Sequence, residues 1–375
     1  MREHLRLGRI AGIPVGLNLS VVVIFVLVVT MVATQTLPGA VDGYPTGAYW
    51  AVGVLVGLLF FASLLAHELA HALVARRHGV KVEQITLWML GGVAQLAGEP
   101  PTPAADLQIA AAGPLTSLAA GVAFGAVAGL SAGVAGPALL TAGFAWLAGI
   151  NVLLGVFNLL PGAPLDGGRI LRGLLWRHHH DRTRAALTAG RAGRGLGMVM
   201  IWLGITELLF TTNPIGGLWM MLLGWFLVMA ATGEVQTTSQ HALLAGMTVR
   251  SAMTPDPVCL PEYQLVEAVL GRVLADQHTS YPVVSFEGRP VGLVTTVKLA
   301  ALPAPARAER RVGELAVRLP AVPTAGPDEA LADVLDRAGG RLPVLVIERG
   351  ELIGLVTATD TSRLLLRAAL SASPQ

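Results

Sequence analysis

The sequence has few charged residues and a single cysteine. Of its 375 residues, 13% are charged and 53% are hydrophobic, and the mean hydropathy is +0.63. A soluble protein usually carries about a quarter charged residues, so a large part of this chain is expected to lie in a lipid bilayer. The single Cys259 excludes an internal disulfide and a cysteine-rich zinc site. The net charge of +2 gives no sign of a nucleic-acid partner, and we predict none.

Charge is missing from long stretches of the amino-terminal part, and these stretches predict membrane-spanning helices. Asp, Glu, Lys and Arg are absent from residues 10–41, 43–66, 107–165 and 208–233. A spanning helix needs about 20 apolar residues, and the longest run is divided by a turn-forming segment at 131–137. We therefore predict a polytopic α-helical membrane protein with about six spans, near residues 16–36, 50–76, 106–129, 138–160, 194–212 and 215–233.

Charged residues recur regularly after Glu234, and this change divides the chain. It predicts a membrane domain at 1–235, a linker at 236–246 and a soluble part at 247–375.

Basic residues in the short loops predict the orientation in the cell membrane. Lys and Arg cluster at the amino terminus and after the second and fourth predicted spans, and the alternate loops contain none. Because basic loops stay in the cytoplasm, we predict that both termini and the soluble part are cytoplasmic.

The pentad His67-Glu68-Leu69-Ala70-His71 follows the uncharged run 43–66. Two histidines four residues apart share one helix face and can bind one metal ion, with Glu68 beside the open position. In a soluble helix such a match is often a solvated face. Here the pentad adjoins a membrane segment, where unpaired ionisable side chains cost several kcal/mol. The pattern predicts a zinc hydrolase site inside a membrane.

A catalytic zinc usually takes three protein ligands and one water, so the pentad needs a third partner. Asp166 is the best candidate, in the motif N-x-x-P-x-x-P-x-D-G-G at residues 158–168. It lies on the same predicted side of the membrane as the pentad. The prolines and glycines of this motif break the helix, and irregular backbone is tolerated at membrane depth where it lines a cavity. The alternative is an aspartate that caps the next helix.

These two motifs together resemble the site-2 protease family of intramembrane zinc metalloproteases (peptidase family M50), and the match covers residues 1–235. The resemblance implies one Zn²⁺ per subunit, bound by His67, His71 and Asp166. It also implies Glu68 as the general base and Asn158 as a residue that helps to place the substrate. Gly113-Pro114 resembles a further family motif, but Ser117 stands where an asparagine is often found, and we assign it no role.

Residues 80–96 alternate apolar and polar side chains around Gly91-Gly92. This predicts a small re-entrant β-hairpin, whose edge would hold an unwound substrate as an added strand. A simple re-entrant loop is the alternative.

The soluble part contains an internal repeat. Residues 281–295 and 342–357 each hold two β-rich runs across a polar turn, and each is preceded by a helical stretch. With the opening Met253-Thr254-Pro255, they resemble a cytoplasmic α/β tandem pair of CBS domains, at 247–305 and 306–375.

CBS pairs often bind adenine nucleotides through the motif G-x-x-[ST]-x-x-D. The second copy matches it with Gly354, Thr357 and Asp360, whereas the first has Lys298 in place of the aspartate. The resemblance therefore implies an adenine nucleotide site at Thr357 and Asp360. A structural or homodimerising pair is the alternative.

Together these features predict a zinc metalloendopeptidase (EC 3.4.24.-) that carries out regulated intramembrane proteolysis and is modulated by its CBS pair. The resemblance implies cleavage, near the cytoplasmic face, of a single-pass or membrane-tethered protein such as an anti-sigma factor. The absence of a PDZ-like insertion favours a precursor sigma factor. The alternative, a CBS-gated transporter or channel, would need polar residues along several spans, but 107–165 contains no charge. A catalytically inactive scaffold is disfavoured by the intact ligand set.

Overall fold

The computed structural model describes residues 5–88, 91–134, 136–210, 214–244, 246–276 and 278–371. The chain divides into two compact units, Met1–Thr238 and Ser239–Gln375.

The amino-terminal unit is mainly helical. In chain order its helices are α1 (Ser20–Ala40), α2 (Thr46–Arg77), α3 (Pro103–Gly133), α4 (Ala138–Asn158), α5 (Asp166–His179), α6 (Arg182–Phe210) and α7 (Pro214–Leu244). Six of them, all except α5, are long and apolar enough to cross a membrane, which confirms the predicted spans. α6 begins at residue 182 rather than 194, because its basic first turns still favour a helix outside lipid.

A four-stranded sheet accompanies the helices. Its strands, in the order β1-β2-β3-β4, are Leu5–Ile10, Ile13–Leu17, Lys81–Trp88 and Gly91–Ala97. β1 and β2 join through Ala11-Gly12, both with positive φ, the turn that matches strand twist. β2 pairs parallel with β3, and β3 antiparallel with β4. The predicted hairpin is therefore present and belongs to a larger sheet, in which β4 is an outer strand.

The carboxy-terminal unit contains the two repeats, each with a four-stranded sheet. The strand orders are β6-β7-β8-β9 and β10-β11-β12-β5. The strands are β5 (Thr254–Pro255), β6 (Leu260–Pro261), β7 (Ser280–Val284), β8 (Pro290–Thr295), β9 (Val317–Arg318), β10 (Thr324–Ala325), β11 (Val344–Glu348) and β12 (Glu351–Val356). The opening strand of the first copy thus completes the sheet of the second.

Short helices cover these sheets. They are α8 (Val249–Ala252), α9 (Val266–Ala275), α10 (Thr296–Ala300), α11 (Ala304–Arg307), α12 (Val312–Leu315), α13 (Leu331–Ala338) and α14 (Ala358–Ser371). Each copy has its own apolar core, built around Val283 and Val294 in the first and Val344 and Val356 in the second. The predicted linker 236–246 is helical as far as Leu244, which is buried in the second core.

Candidate metal centre

The pentad side chains lie on the buried face of α2. His67, Glu68 and His71 are only 3%, 9% and 6% exposed. Ionisable groups at this depth need partners. The contacts below show that the two histidines find theirs on α3 and α5.

Asp166 is the first residue of α5 and brings its carboxylate to both histidines. Its Oδ2 atom lies 3.2 Å from Nε2 of His67 and 3.1 Å from Nε2 of His71, and the two Nε2 atoms are 3.2 Å apart. Ligands about 2.0–2.1 Å from a tetrahedral zinc are about 3.3 Å from one another. The three atoms are therefore spaced like three corners of a zinc coordination tetrahedron. The N-cap residue of α5 is Leu165, and the hydrogen bonds found for the Asp166 carboxylate among the described residues go to the two histidines.

The far side of each imidazole is held by α3. Nδ1 of His71 is 2.6 Å from the carbonyl oxygen of Ile109. Because a carbonyl only accepts, this nitrogen carries the proton and Nε2 keeps a free lone pair. Nδ1 of His67 is 2.9 Å from Oγ of Ser117, which is fully buried. A hydroxyl can accept here, so Ser117 can set the same tautomer in His67.

Gly113 provides the space between the two imidazoles. A Cβ atom at this position would lie 2.1 Å from Nε2 of His71 and 2.5 Å from Nε2 of His67. A methyl group at 113 would therefore collide with both imidazoles, so only a glycine lets α3 pack this closely against them. The donor set and the mutual spacing of its three atoms fit a zinc ion.

Two features hold α5 so that Asp166 faces the histidines. Arg172 donates two hydrogen bonds to the fully buried carboxylate of Asp106 on α3, at 2.8 and 2.7 Å. Burial lowers the pKa of Arg172, but the bonds to Asp106 outweigh it and raise that pKa. Gly167 and Gly168 pack directly on the backbone of residues 159–163, where a Cβ would approach to 2.2 Å.

The charge on Asp166 is also stabilised. Burial raises the pKa of its carboxyl, but His67 and His71 lower it when their imidazoles are protonated, and together they hold the pKa well below its usual range. Asp166 is therefore an anion, the form in which a carboxylate binds a metal.

The ligand set opens into a cavity of about 490 Å³. Its wall includes Glu68, Asn158, Arg169, Phe226 and the Gly91-Gly92 end of β4. Asn158 donates one N–H to the carbonyl of Leu154 at 3.0 Å, which leaves its second N–H for a ligand. A Cβ at Gly92 would come within 2.1 Å of Cγ of Glu68, so this glycine lets β4 approach the carboxylate.

A second cavity, of about 590 Å³, lies in the carboxy-terminal unit. Thr357 and Asp360 line it, together with Thr254, His278 and Arg363. The Asp360 carboxylate accepts hydrogen bonds from N and Oγ1 of Thr357, at 2.9 and 2.6 Å, and from Oγ1 of Thr254 at 3.0 Å. In the first copy, Nζ of Lys298 instead donates to the carbonyl of Leu315 at 3.3 Å.

Sequence reasoning predicted the residues that the structure brings together around this cavity and missed those that position them. The missed residues are Ser117, Gly113, Gly92 and the pair Asp106–Arg172. Only the Gly113-Pro114 motif gave a local signal. The others act through contacts between elements that are far apart in the sequence.

Comparison with known proteins shows the family of the chain. The model of the family described as Peptidase family M50 matches residues 55–142 and 133–201, and the CBS domain model matches 249–302 and 312–367. A Mycobacterium tuberculosis protein named as zinc metalloprotease Rip3 is 46% identical, over 97% of this chain and 93% of its own. Zinc metalloprotease MJ0392 of Methanocaldococcus jannaschii is 27% identical, over 97% of this chain and 96% of its own. A solved site-2 protease from the same archaeon is 30% identical and covers 62% of this chain and 94% of its own, with a TM-score of 0.43.

The identity to the mycobacterial relative extends over both units of the chain. This identity to a zinc metalloprotease supports the predicted endopeptidase over the alternative, a CBS-gated transporter or channel. The six apolar helices make the protein a multi-pass membrane protein. The chain therefore belongs to peptidase family M50, the site-2 protease family of zinc metalloendopeptidases, and carries a tandem pair of CBS domains.

Proposed function

We propose that His67, His71 and Asp166 hold one zinc ion and that Glu68 acts as the general base in hydrolysis of a membrane protein. The mutual spacing of 3.1–3.2 Å between the three ligand atoms carries this proposal. Glu68 lies beside these atoms in the same cavity wall and is not one of the three.

The chain's own residues account for proton transfer and substrate orientation. A bound zinc would polarise the scissile carbonyl and make the attacking water more acidic. Glu68 takes a proton from that water while the water oxygen bonds to the carbonyl carbon of the substrate. Glu68 then gives this proton to the peptide nitrogen as the C–N bond breaks. The free N–H of Asn158 is placed to donate to the carbonyl oxygen of the substrate.

The substrate we propose is a single-pass or membrane-tethered regulatory protein, cut near the cytoplasmic face. A helix hides its peptide bonds, so the substrate must unwind before attack. β4 is an outer strand, and its Gly91-Gly92 end lines the cavity. An unwound segment can pair with that strand by main-chain hydrogen bonds. From the family resemblance, we propose an anti-sigma factor or a precursor sigma factor as the substrate class.

The orientation we propose places both termini in the cytoplasm. The metal centre lies towards the end of α2 that carries Arg76 and Arg77, which is followed by Lys81 at the start of β3, and towards the basic residues of α5. A reporter that is active only outside the cytoplasm, fused after Gln375, should stay silent. Activity of that reporter would contradict this orientation.

Removal of the metal should abolish cleavage reversibly. The purified full-length protein should contain about one zinc per chain, and a chelator should remove the zinc together with the activity. The assay is the appearance of new amino termini in a membrane-protein mixture, detected by mass spectrometry. Added zinc should restore cleavage. Full activity in metal-free protein would contradict the proposed function.

Replacing Ser117 by alanine should weaken zinc binding by about 10–100-fold, the usual effect of losing a group that orients a ligand. The variant leaves the Nδ1–H of His67 buried without an acceptor. Zinc affinity is measured by competition with a chromophoric chelator. Thr116→Ala is the matched control, because Thr116 precedes Ser117 on α3 and, among the described residues, its hydroxyl donates to the carbonyl of Ala112 in its own helix. Equal affinities in the two variants would remove Ser117 from this role.

We also propose that the CBS pair binds an adenine nucleotide through its second copy and thereby changes proteolysis. Asp360 and Thr357 of that copy line a cavity whose wall also includes Thr254 and His278 of the first copy, and the carboxylate is placed to accept ribose hydroxyls. A ligand shifts activity only by its difference in affinity for two states, commonly about 1–3 kcal/mol. Formation of a homodimer through the CBS pair is a further possibility for this unit.

Asp360→Ala should weaken nucleotide binding by roughly tenfold or more, because charged hydrogen bonds contribute about 1.5–3 kcal/mol. Calorimetry of the full-length protein with ATP, ADP and AMP measures this. Asp333→Ala, an exposed carboxylate on α13 outside the cavity, is the control. Unchanged binding in the Asp360 variant would contradict the site, and no binding to the wild type would leave the pair as a structural module.

A further inference from the structure

Two arginines one turn apart on α5 have different surroundings. Arg172 is paired with Asp106 through two hydrogen bonds. Arg169 lines the cavity of the metal centre, and its guanidinium has no hydrogen-bond or ion-pair partner among the described residues. Arg169 interacts electrostatically with Glu68 and Glu234, and it forms an ion pair with neither of them.

A half-buried arginine in a cavity wall needs a negatively charged partner. Arg169 is half-buried, and a charge that is withdrawn from water is stable only when it is paired. Structural arginines meet this requirement inside the protein, as Arg172 does. Arg169 also lies three residues after Asp166, so both project from one face of α5. The guanidinium therefore belongs to the same cavity wall as the ligand set.

We propose that Arg169 binds a carboxylate of the substrate and so selects an Asp or Glu side chain close to the scissile bond. A guanidinium fits a carboxylate through two parallel hydrogen bonds. The remaining wall around it is largely apolar, with Leu154, Leu165 and Phe226, so the ion pair would be shielded from water. This inference rests on the proposed function and adds the chemistry that the enzyme recognises next to the cut.

The test begins with the membrane-protein mixture, in which sequenced cut sites show whether Asp or Glu is enriched at one position. Single-span peptides carrying one such site are then prepared with Glu, Gln or Lys at that position. The wild type should cleave the Glu peptide with a kcat/KM roughly tenfold above that for the Gln peptide. Arg169→Gln should abolish this preference, Arg169→Lys should keep part of it, and Arg169→Glu should favour the Lys peptide.

The matched control is Arg177→Gln, which removes an exposed arginine two turns further along α5, outside the cavity wall. It should keep the wild-type preference. Zinc content should be normal in all variants, because none of these residues is a ligand. An equal loss of activity on the Glu and Gln peptides in Arg169→Gln would overturn the proposal, since it would place Arg169 at the reacting carbonyl. Cleavage without any acidic preference in the wild type would also overturn it. Absence of cleavage altogether would instead contradict the proposed function.

Discussion

Glu68→Gln should retain its zinc and lose at least about 100-fold in cleavage rate, the lower part of the usual range for a general base. The amide has nearly the same shape as the carboxylate but cannot accept the proton of the attacking water. Zinc should stay because the three mutually close ligand atoms belong to His67, His71 and Asp166. A substitution of similar shape is needed because β4 packs closely on the Glu68 side chain: a Cβ atom at Gly92 would lie 2.1 Å from Cγ of Glu68.

Two measurements on the same protein check this expectation. Metal analysis should give about one zinc per chain, and the membrane-protein assay should give few or no new amino termini. Glu83→Gln, an exposed glutamate on β3, is the matched control and should cleave normally. Wild-type cleavage by Glu68→Gln would mean that another group takes the proton and that the proposed mechanism is wrong.

The membrane fold was largely predictable because lipid imposes a simple rule on the sequence. Uncharged runs located all six apolar helices. The ends of the helices were less predictable: α6 begins at Arg182, twelve residues before the predicted start, because a helix with basic residues can extend beyond the lipid. The strands β1 and β2 were missed because Ile13–Leu17 is apolar and adjoins the apolar run of α1. The turn between them, Ala11-Gly12, has positive φ at both residues, but the sequence pattern did not show this.

The metal centre divides into a predictable and an unpredictable part for a physical reason. His67 and His71 share a helix, so their spacing alone brings them together. Asp166 is 95 residues beyond His71, and its role depended on a recognised motif. Ser117 was left without a role because it stands where the family motif often has an asparagine. Only the packing of α3 on α2 shows that its hydroxyl meets His67.

The sequence also could not show which of the two arginines Arg169 and Arg172 is paired with a carboxylate. In sequence both are basic residues of one loop, and both were used only to predict orientation. The structure separates them, because the buried carboxylate of Asp106 lies within reach of one and not of the other. Pairing depends on the approach of α3 to α5, which no local pattern encodes.

Gly113→Ala should lose most of its zinc, as Asp166→Ala should, although glycine supplies no ligand atom. The added methyl carbon would lie 2.1 and 2.5 Å from the two Nε2 atoms, well inside the normal carbon–nitrogen contact of about 3.5 Å. α3 would have to move away by about 1 Å, whereas zinc–ligand distances tolerate only about 0.2 Å. Gly129→Ala on the same helix, where a Cβ meets no atom within 4 Å, should keep its zinc. Metal analysis of the three variants, with circular dichroism to confirm folding, tests this. Full zinc occupancy in folded Gly113→Ala would contradict this expectation, because the two imidazoles cannot keep their observed positions beside the added methyl group.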